Sequence, residues 1–576
     1  MLEGWTCTRV GDGEHGAKEG EKARAKITCI LSCLTTFEIT LGAGMAEAVR
    51  ARRAGASRVR AGSTLFKPQR SLRCSACKAW ARASDTPVEG TGLGTRAVHG
   101  GPVPDDSSEG YSDTINTPLV QTATYTFTST EELVRYQEGS HPSFEYGRYG
   151  NYTTLAAERA ICSLEDADDC LISSSGMNTA TTMLLALCQP GSHLVTTTDC
   201  YRRTRQFIQS MLPKMGVSYD VVQPGDYESL TDAINPNTSI FFTESPTNPY
   251  LRCVDIERAR SISDQQSNCN CAVVIDSTFA TPVNQLPLTL GAHLVVHSAS
   301  KYLAGHHDVL AGALAGSTEL VQAVRELHAV LGGVADPHAA WLLIRGMKTL
   351  PLRVRQSNSS AQRIAETLSS HPLVTRVHYP GLNSHSDHQV AMKQMTGFGG
   401  VLSFEVDGNL WDTAAVVDNV KLPYIAPSLG GTESLIEQPA VISYWDQSEA
   451  GRAKLGIRDN LIRLALGIED AEDLERDLLN ALDAAAAHKR KRVAADGASA
   501  RTRDAEAEDK PPATSSAASP VETIGNGKGK AVDETSSSPA VARDARASAR
   551  GVSKISRIGH ASRRRPRSRR GSAWRR

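Results

Sequence analysis

No stretch of about 18 uninterrupted apolar residues occurs in the 576-residue sequence, so a membrane-spanning helix is not expected. The best candidate, residues 27–41, is broken by Glu38 and by several Thr and Ser residues. Cysteine is missing after Cys271. Of the twelve, five precede residue 80 and seven lie from Cys162 to Cys271, a spacing that suits a reducing compartment rather than a disulfide framework. The chain also lacks G-x-x-x-x-G-K-[ST], H-E-x-x-H, and a G-x-G-x-x-G after a strand, which removes the usual signals of a phosphate loop, a zinc-protease helix and a dinucleotide fold. Net charge is absent only by addition. Residues 45–84 carry 10 Lys and Arg against 1 acid, residues 489–576 carry 22 against 9, and residues 85–488 carry 26 against 47. An acidic middle argues against nucleic-acid binding by the folded core, because phosphate contacts need a basic face.

The two basic ends have different compositions. Residues 45–84 are rich in Arg, Ala and Ser, the composition of an organelle transit peptide, and Met45 is a candidate start. A leader over 1–98 and an N-terminal arm over 99–155 are expected. After the Ala-rich run 481–487 the chain has almost no aromatic residue, so 488–576 is expected to be a disordered basic tail. Its Arg-rich end, Arg563 to Arg570, leaves RNA binding as a reading from another class.

Between the ends, short apolar runs alternate with helical patterns. Strands are expected at 170–174, 193–198, 217–222, 239–244, 272–276, 294–297 and 309–315, most of them separated by helices. That order predicts an α/β fold: a mostly parallel seven-stranded sheet over 156–352, covered on both faces. A long helix over 353–370, strands near 374–379, 400–406 and 461–466, and a closing helix over 471–485 predict a smaller C-terminal α/β domain spanning 353–487.

Ligands of parallel sheets collect at the carboxyl ends of the strands. Three polar features fall there: Ser173-Ser174-Ser175-Gly176-Met177 opening a helix, Asp276 closing an apolar strand, and Lys301 after His297-Ser298-Ala299-Ser300. A phosphate cup, an acid and a lysine are the set that pyridoxal phosphate requires. The lysine forms a Schiff base with the aldehyde, the acid keeps the ring nitrogen protonated, and the cup holds the phosphate. His306-His307-Asp308 and His385-Ser386-Asp387-His388 look like metal ligands in isolation; they are read as loop residues, and no metal is expected.

The runs FEYGRYGN (144–151), TTTDCYRRTR (196–205), FFTESPTNPYLRCVD (241–255) and SASKYLAGHHDVL (298–310) closely resemble the Cys/Met-metabolism family of pyridoxal-phosphate enzymes. GFGGVLSFEVD (397–407) and YIAPSLGGTESLIEQPAVISYW (424–445) extend the likeness through the second domain, and Ala426-Pro427-Ser428 is similar to the family's plant-type γ-synthases. The resemblance implies a fold type I transferase. It would join an activated homoserine ester, O-phosphohomoserine by preference, to cysteine by γ-replacement in a plastid, as a homotetramer built from dimers. Lyase and sulfhydrylase members of the family are the nearest alternatives.

Carried over by position, Lys301 would bind the cofactor and move protons, Asp276 would pair with the pyridinium, and Tyr201 would stack on the ring. Gly176, Met177, Ser298 and Ser300 would hold the phosphate, joined by Tyr146 and Arg148 from a neighbouring subunit. Asn248 would approach the phenolic oxygen, and Arg463 with Ser428 would clamp the substrate carboxylate. Arg203 stands where plant-type members carry Lys and is expected to take the substrate phosphate. Tyr152 in place of Pro, and Pro351 in place of His, depart from the family pattern without removing a catalytic group.

Overall fold

A computed structural model describes residues 90–101, 114–266 and 269–508; the basic segment 45–84, Met45 and the Arg-rich end lie outside the described residues. Both sheets belong to a compact unit, Met1–Ala500, and the second unit is Arg501–Arg576. The larger sheet is made of β1 (Asp169–Ser173), β2 (His193–Thr197), β3 (Ser218–Val222), β4 (Thr238–Glu244), β5 (Ala272–Asp276), β6 (Leu294–His297) and β7 (Gly312–Gly316). Its order is β1-β7-β6-β5-β4-β2-β3. Only β7 runs against its neighbours β1 and β6.

Parallel strands covered on both faces must be apolar at consecutive positions, and alternate residues then enter opposite layers. Phe242, Val274 and Val296 pack on one side with Met183, Leu184 and Val321. Phe241, Val273 and Ile275 pack on the other with Ile256, Ala259 and Leu230. Each such fully buried side chain contributes about 1.5–3 kcal/mol of transfer free energy. β7 reads GALAG because it has little room: a Cβ on Gly312 would enter Thr179 Oγ1 and the Ser175 carbonyl of the adjoining helix, Gly176–Leu187.

The second sheet contains β8 (Val374–His378), β9 (Val401–Val406), β10 (Tyr424–Ile425), β11 (Leu435–Glu437) and β12 (Leu461–Ala465), ordered β10-β11-β12-β9-β8. Its core joins Phe404, Ile462 and Leu464 to Ile364, Leu368, Leu474 and Leu478 of the flanking helices. The strap Ser245–Val254, leaving the end of β4, is held by this smaller sheet and its helices. Ser403 Oγ donates to the Pro249 carbonyl at 2.7 Å, and Gln394 Nε2 donates to that of Val254 at 2.9 Å. Asp387 takes Arg252 Nε at 2.6 Å and the Cys253 N–H at 2.9 Å.

Three expected boundaries move. The leader limit at 98 falls inside the helix Leu93–His99, whose Ala97 is buried in the core and whose Arg96 donates to the Ser163 carbonyl at 2.8 Å. The limit at 352 falls inside the helix Leu350–Ser369, where Pro351 occupies the first turn, a place that needs no N–H donor. The closing helix continues to Glu508, into the segment expected to be disordered. The reason is local: residues 484–508 are mostly Ala, Arg, Lys and Glu, and no proline occurs before Pro511.

Candidate active site

The cup, the acid and the lysine meet at the carboxyl edge of the larger sheet. Ser175 caps the helix Gly176–Leu187, its Oγ accepting the Asn178 N–H at 3.1 Å. Gly176 lies against the residue that follows β6: a Cβ there would come within 3.0 Å of Ser298 Cα and Cβ. The glycine is thus what leaves space between the helix N-terminus and Ser298, as a bound phosphate requires. Met177 Sδ accepts from Thr204 Oγ1 at 3.6 Å, joining the cup to the helix that follows Tyr201. Ser300 is engaged elsewhere, donating to the Ala311 carbonyl at 3.1 Å and accepting its N–H at 2.9 Å.

Asp276 ends β5, with Oδ1 accepting the Thr278 N–H at 3.0 Å and its hydroxyl at 2.6 Å. Thr278 Oγ1 in turn accepts the Ser298 N–H at 2.8 Å, so one threonine ties the acid to the cup. Burial pushes the Asp276 carboxyl up, and the Thr278 bonds partly offset this. Beside it in register, at the end of β4, is Glu244, pushed well up by burial and by Asp276. Two carboxyls side by side, one buried and one half-buried, favour a cation between or above them, which a protonated pyridine would supply. Glu244 accepts the Tyr201 N–H and so fixes the backbone of the expected stacking residue, whose side chain is 46% exposed.

Lys301 Nζ donates to Ser428 Oγ at 2.6 Å. Burial, and after it the Arg463 charge, lower its pKa to about 8, with Glu437 opposing both. Ser428 has a φ of 106°, a strained conformation for a non-glycine residue, in the loop that faces Lys301. Arg463, on β12, donates to Asn248 Oδ1 at 3.2 Å and to the Ser428 carbonyl at 2.9 Å, and forms an ion pair with Glu437 at 3.0 Å. Its Nε is buried without a hydrogen-bond partner, an open donor for a carboxylate. Glu437 and Glu244 were not singled out in the sequence. Both close strands, the signal that drew attention to Asp276.

The structure does not bring Arg203 into this group. Arg202 and Arg205, one helical turn apart, face the segment 443–446: Arg202 bonds the Ser443 carbonyl at 2.5 Å and pairs with Asp446, and Arg205 reaches Tyr444 Oη at 3.3 Å. Arg203 points elsewhere and is exposed, bonded to Gln206 Oε1 at 2.9 Å. Tyr146 and Arg148 are likewise apart from Lys301. They line a separate cavity with Gln121, Asn151 and Asp336, and Arg148 donates to the Ala329 carbonyl at 3.0 Å. Tyr152, the first residue of its helix, packs edge-on against Phe144 at 4.9 Å and so steadies the loop that carries both.

A half-buried lysine of lowered pKa, an acid at the neighbouring strand end and a helix-capped phosphate cradle define a pyridoxal-phosphate site, and the residues present fit that group. The chain belongs to the Cys/Met metabolism PLP-dependent enzyme family, whose model matches residues 94–483. It is 56% identical over 373 residues to chloroplastic cystathionine gamma-synthase 1 of Nicotiana tabacum, covering 65% of this chain and 68% of that one. With the Arabidopsis thaliana protein of the same name it shares 55% over 374 residues, 65% of this chain and 66% of the relative. Among solved structures, MetB from Corynebacterium glutamicum superposes with a TM-score of 0.64 at 36% identity, over 69% of this chain and 98% of that one.

Proposed function

We propose that this chain is a cystathionine γ-synthase, replacing the γ-substituent of an activated homoserine, O-phosphohomoserine by preference, with the sulfur of cysteine. The observation that carries the reading is the 2.6 Å contact between Lys301 Nζ and Ser428 Oγ beside an arginine with an open, buried Nε. The names of the plant relatives support the choice within the family.

Bound pyridoxal phosphate supplies an aldehyde for the amino group and a protonated ring that accepts the electrons released at Cα. The chain's own residues do the rest. Arg463 takes the α-carboxylate through Nε and Nη, which fixes the Cα–H toward Lys301. Lys301, with a pKa near 8, is partly neutral at physiological pH and can accept the Cα proton and return it. Ser428 Oγ holds Nζ in place between transfers. Asp276 would keep the ring nitrogen protonated, and Thr278 orients its carboxylate.

The sequence likeness further supports Tyr146 and Arg148 acting in a neighbouring subunit's site and a tetramer of two such dimers, in keeping with their distance from Lys301 in this chain. A plastid location rests on the composition of 45–84 and on the chloroplastic relatives. The test is to incubate the purified holoenzyme with cysteine and, in turn, the phospho, acetyl and succinyl esters of homoserine. Cystathionine should form fastest from the phosphate ester. Cleavage of cystathionine without synthesis would assign the chain to the lyases instead.

A further inference from the structure

The cavity that holds Lys301 contains more chemistry than the homoserine half of the reaction uses. Its volume is about 460 Å³, and besides Lys301 and Ser428 its lining includes His306, His307, Tyr424 and Glu433. Two loops form it and face each other along their length. Lys301 meets Ser428; a Cβ on Gly430 would come within 2.6 Å of the Tyr302 N; and a Cβ on Gly431 would enter the His307 ring. Further along, His307 faces Glu433, with Nε2 and Oε2 3.9 Å apart. His307 has a φ of 56°, the left-handed region that His tolerates better than most residues, and this turn directs its ring onto Gly431.

At 3.9 Å the two groups are too far apart for a hydrogen bond, and their side chains are 24% and 50% exposed. Glu433 accepts the Thr432 hydroxyl at 2.8 Å, which holds the carboxylate while leaving it capacity for a further donor. A carboxylate and an imidazole held apart, close to a reacting amine, match a zwitterion: the carboxylate takes an ammonium and the imidazole N–H takes a carboxylate. His306 is oriented as well. Its Nδ1–H donates to the Ala304 carbonyl at 2.7 Å, which fixes the ring.

We propose that His307 and Glu433 form the subsite of the second substrate, an α-amino acid thiol, with Glu433 on its ammonium and His307 on its carboxylate. This rests on the γ-replacement reading and names where the nucleophile enters. The cavity could instead receive the anionic leaving group on the histidines, but Glu433 beside them opposes a dianion.

The experiment compares three thiols with the holoenzyme: cysteine, 3-mercaptopropanoate, which lacks the ammonium, and cysteamine, which lacks the carboxylate. Glu433→Gln should lower the ratio of kcat/KM for cysteine over 3-mercaptopropanoate by about tenfold, the worth of one half-exposed charge-assisted hydrogen bond. His307→Asn, which suits the same backbone, should lower the ratio for cysteine over cysteamine by a similar factor. Unchanged ratios in both variants overturn the subsite. So does a loss confined to the ester's KM, which would place the leaving group there. Release of phosphate from O-phosphohomoserine by the wild-type enzyme without thiol is measured alongside. If it is present while the ratios stay unchanged, the subsite alone fails; if it is absent together with all thiol products, the γ-replacement reading fails too.

Discussion

Replacing Lys301 with methionine should make the cofactor-free protein more stable at neutral pH, although it removes the central catalytic group. The folded pKa of about 8 lies below the ordinary lysine value of 10.5, so the unfolded chain binds more protons between those two values. Stability contributed by this residue therefore rises with pH from about 8 to 10.5 and is at its poorest below 8. A gap of about 2.5 pKa units corresponds to roughly 3 kcal/mol of destabilisation at pH 7. Methionine has a similar length and no charge to desolvate, but it leaves Ser428 without its donor, a loss of about 0.5–1.5 kcal/mol. The net expectation is a gain of about 2 kcal/mol at pH 7, shrinking through pH 9 and turning to a loss of about 1 kcal/mol near pH 10.5. Urea unfolding of the two cofactor-free proteins at four pH values reads the difference, and the alkaline titration of every other group cancels between them. Parallel curves, with no change in the difference between pH 7 and 10, would refute the account of Lys301 as a half-buried amine held below its ordinary pKa.

Gly176→Ala places a Cβ 3.0 Å from Ser298 and should weaken pyridoxal-phosphate binding at least about tenfold while leaving the fold intact, as read by titrating the cofactor-free protein spectroscopically. Arg203→Ala should change kcat/KM for the phosphate ester by less than about threefold if its exposed position is kept in the assembly; a selective loss of roughly 10- to 150-fold would restore it as the phosphate ligand and imply that its side chain turns inward. Inactive Arg148→Ala and Lys301→Ala chains, dissociated and reassembled together, should recover part of the wild-type rate, and failure to do so would mean that each site is built from one chain. A chain trimmed to begin at Gly90 should stay soluble, whereas one beginning at Gly100 loses Ala97 and the Arg96 bond and should have a lower Tm.

The larger sheet was legible because its strands are short apolar runs separated by amphipathic helices, and the expected limits at β5 and β6 are those observed. The reversed direction of β7 was not, since no residue pattern records whether a strand enters from above or below. β10 and β11 are two and three residues long, too short for an alternation to register. In the site, Lys301 and Asp276 could be picked out because each charge terminates an apolar run. Glu437 carries the same signal, but in a run of only three residues, and its role follows from the pairing of β11 with β12, which sets it beside Arg463, 26 positions away. The Arg202, Arg203 and Arg205 cluster shows a related limit: adjacent in sequence, they leave the helix in different directions, and two of the three are used against 443–446.

The strap Ser245–Val254 gives the two sheets a shared fate. It is bonded from the smaller sheet and its helices at Pro249, Arg252, Cys253 and Val254, and it carries Asn248, the residue that Arg463 touches. Neither layer can melt without releasing polar groups buried by the other, so heat or denaturant should take both down in a single cooperative transition. For protein engineering this means that the smaller sheet is not a module to be exchanged between homologues. A chimera joined between residues 254 and 387 must bring a matching Asp387, Gln394 and Ser403 with it, or its melting curve will divide in two.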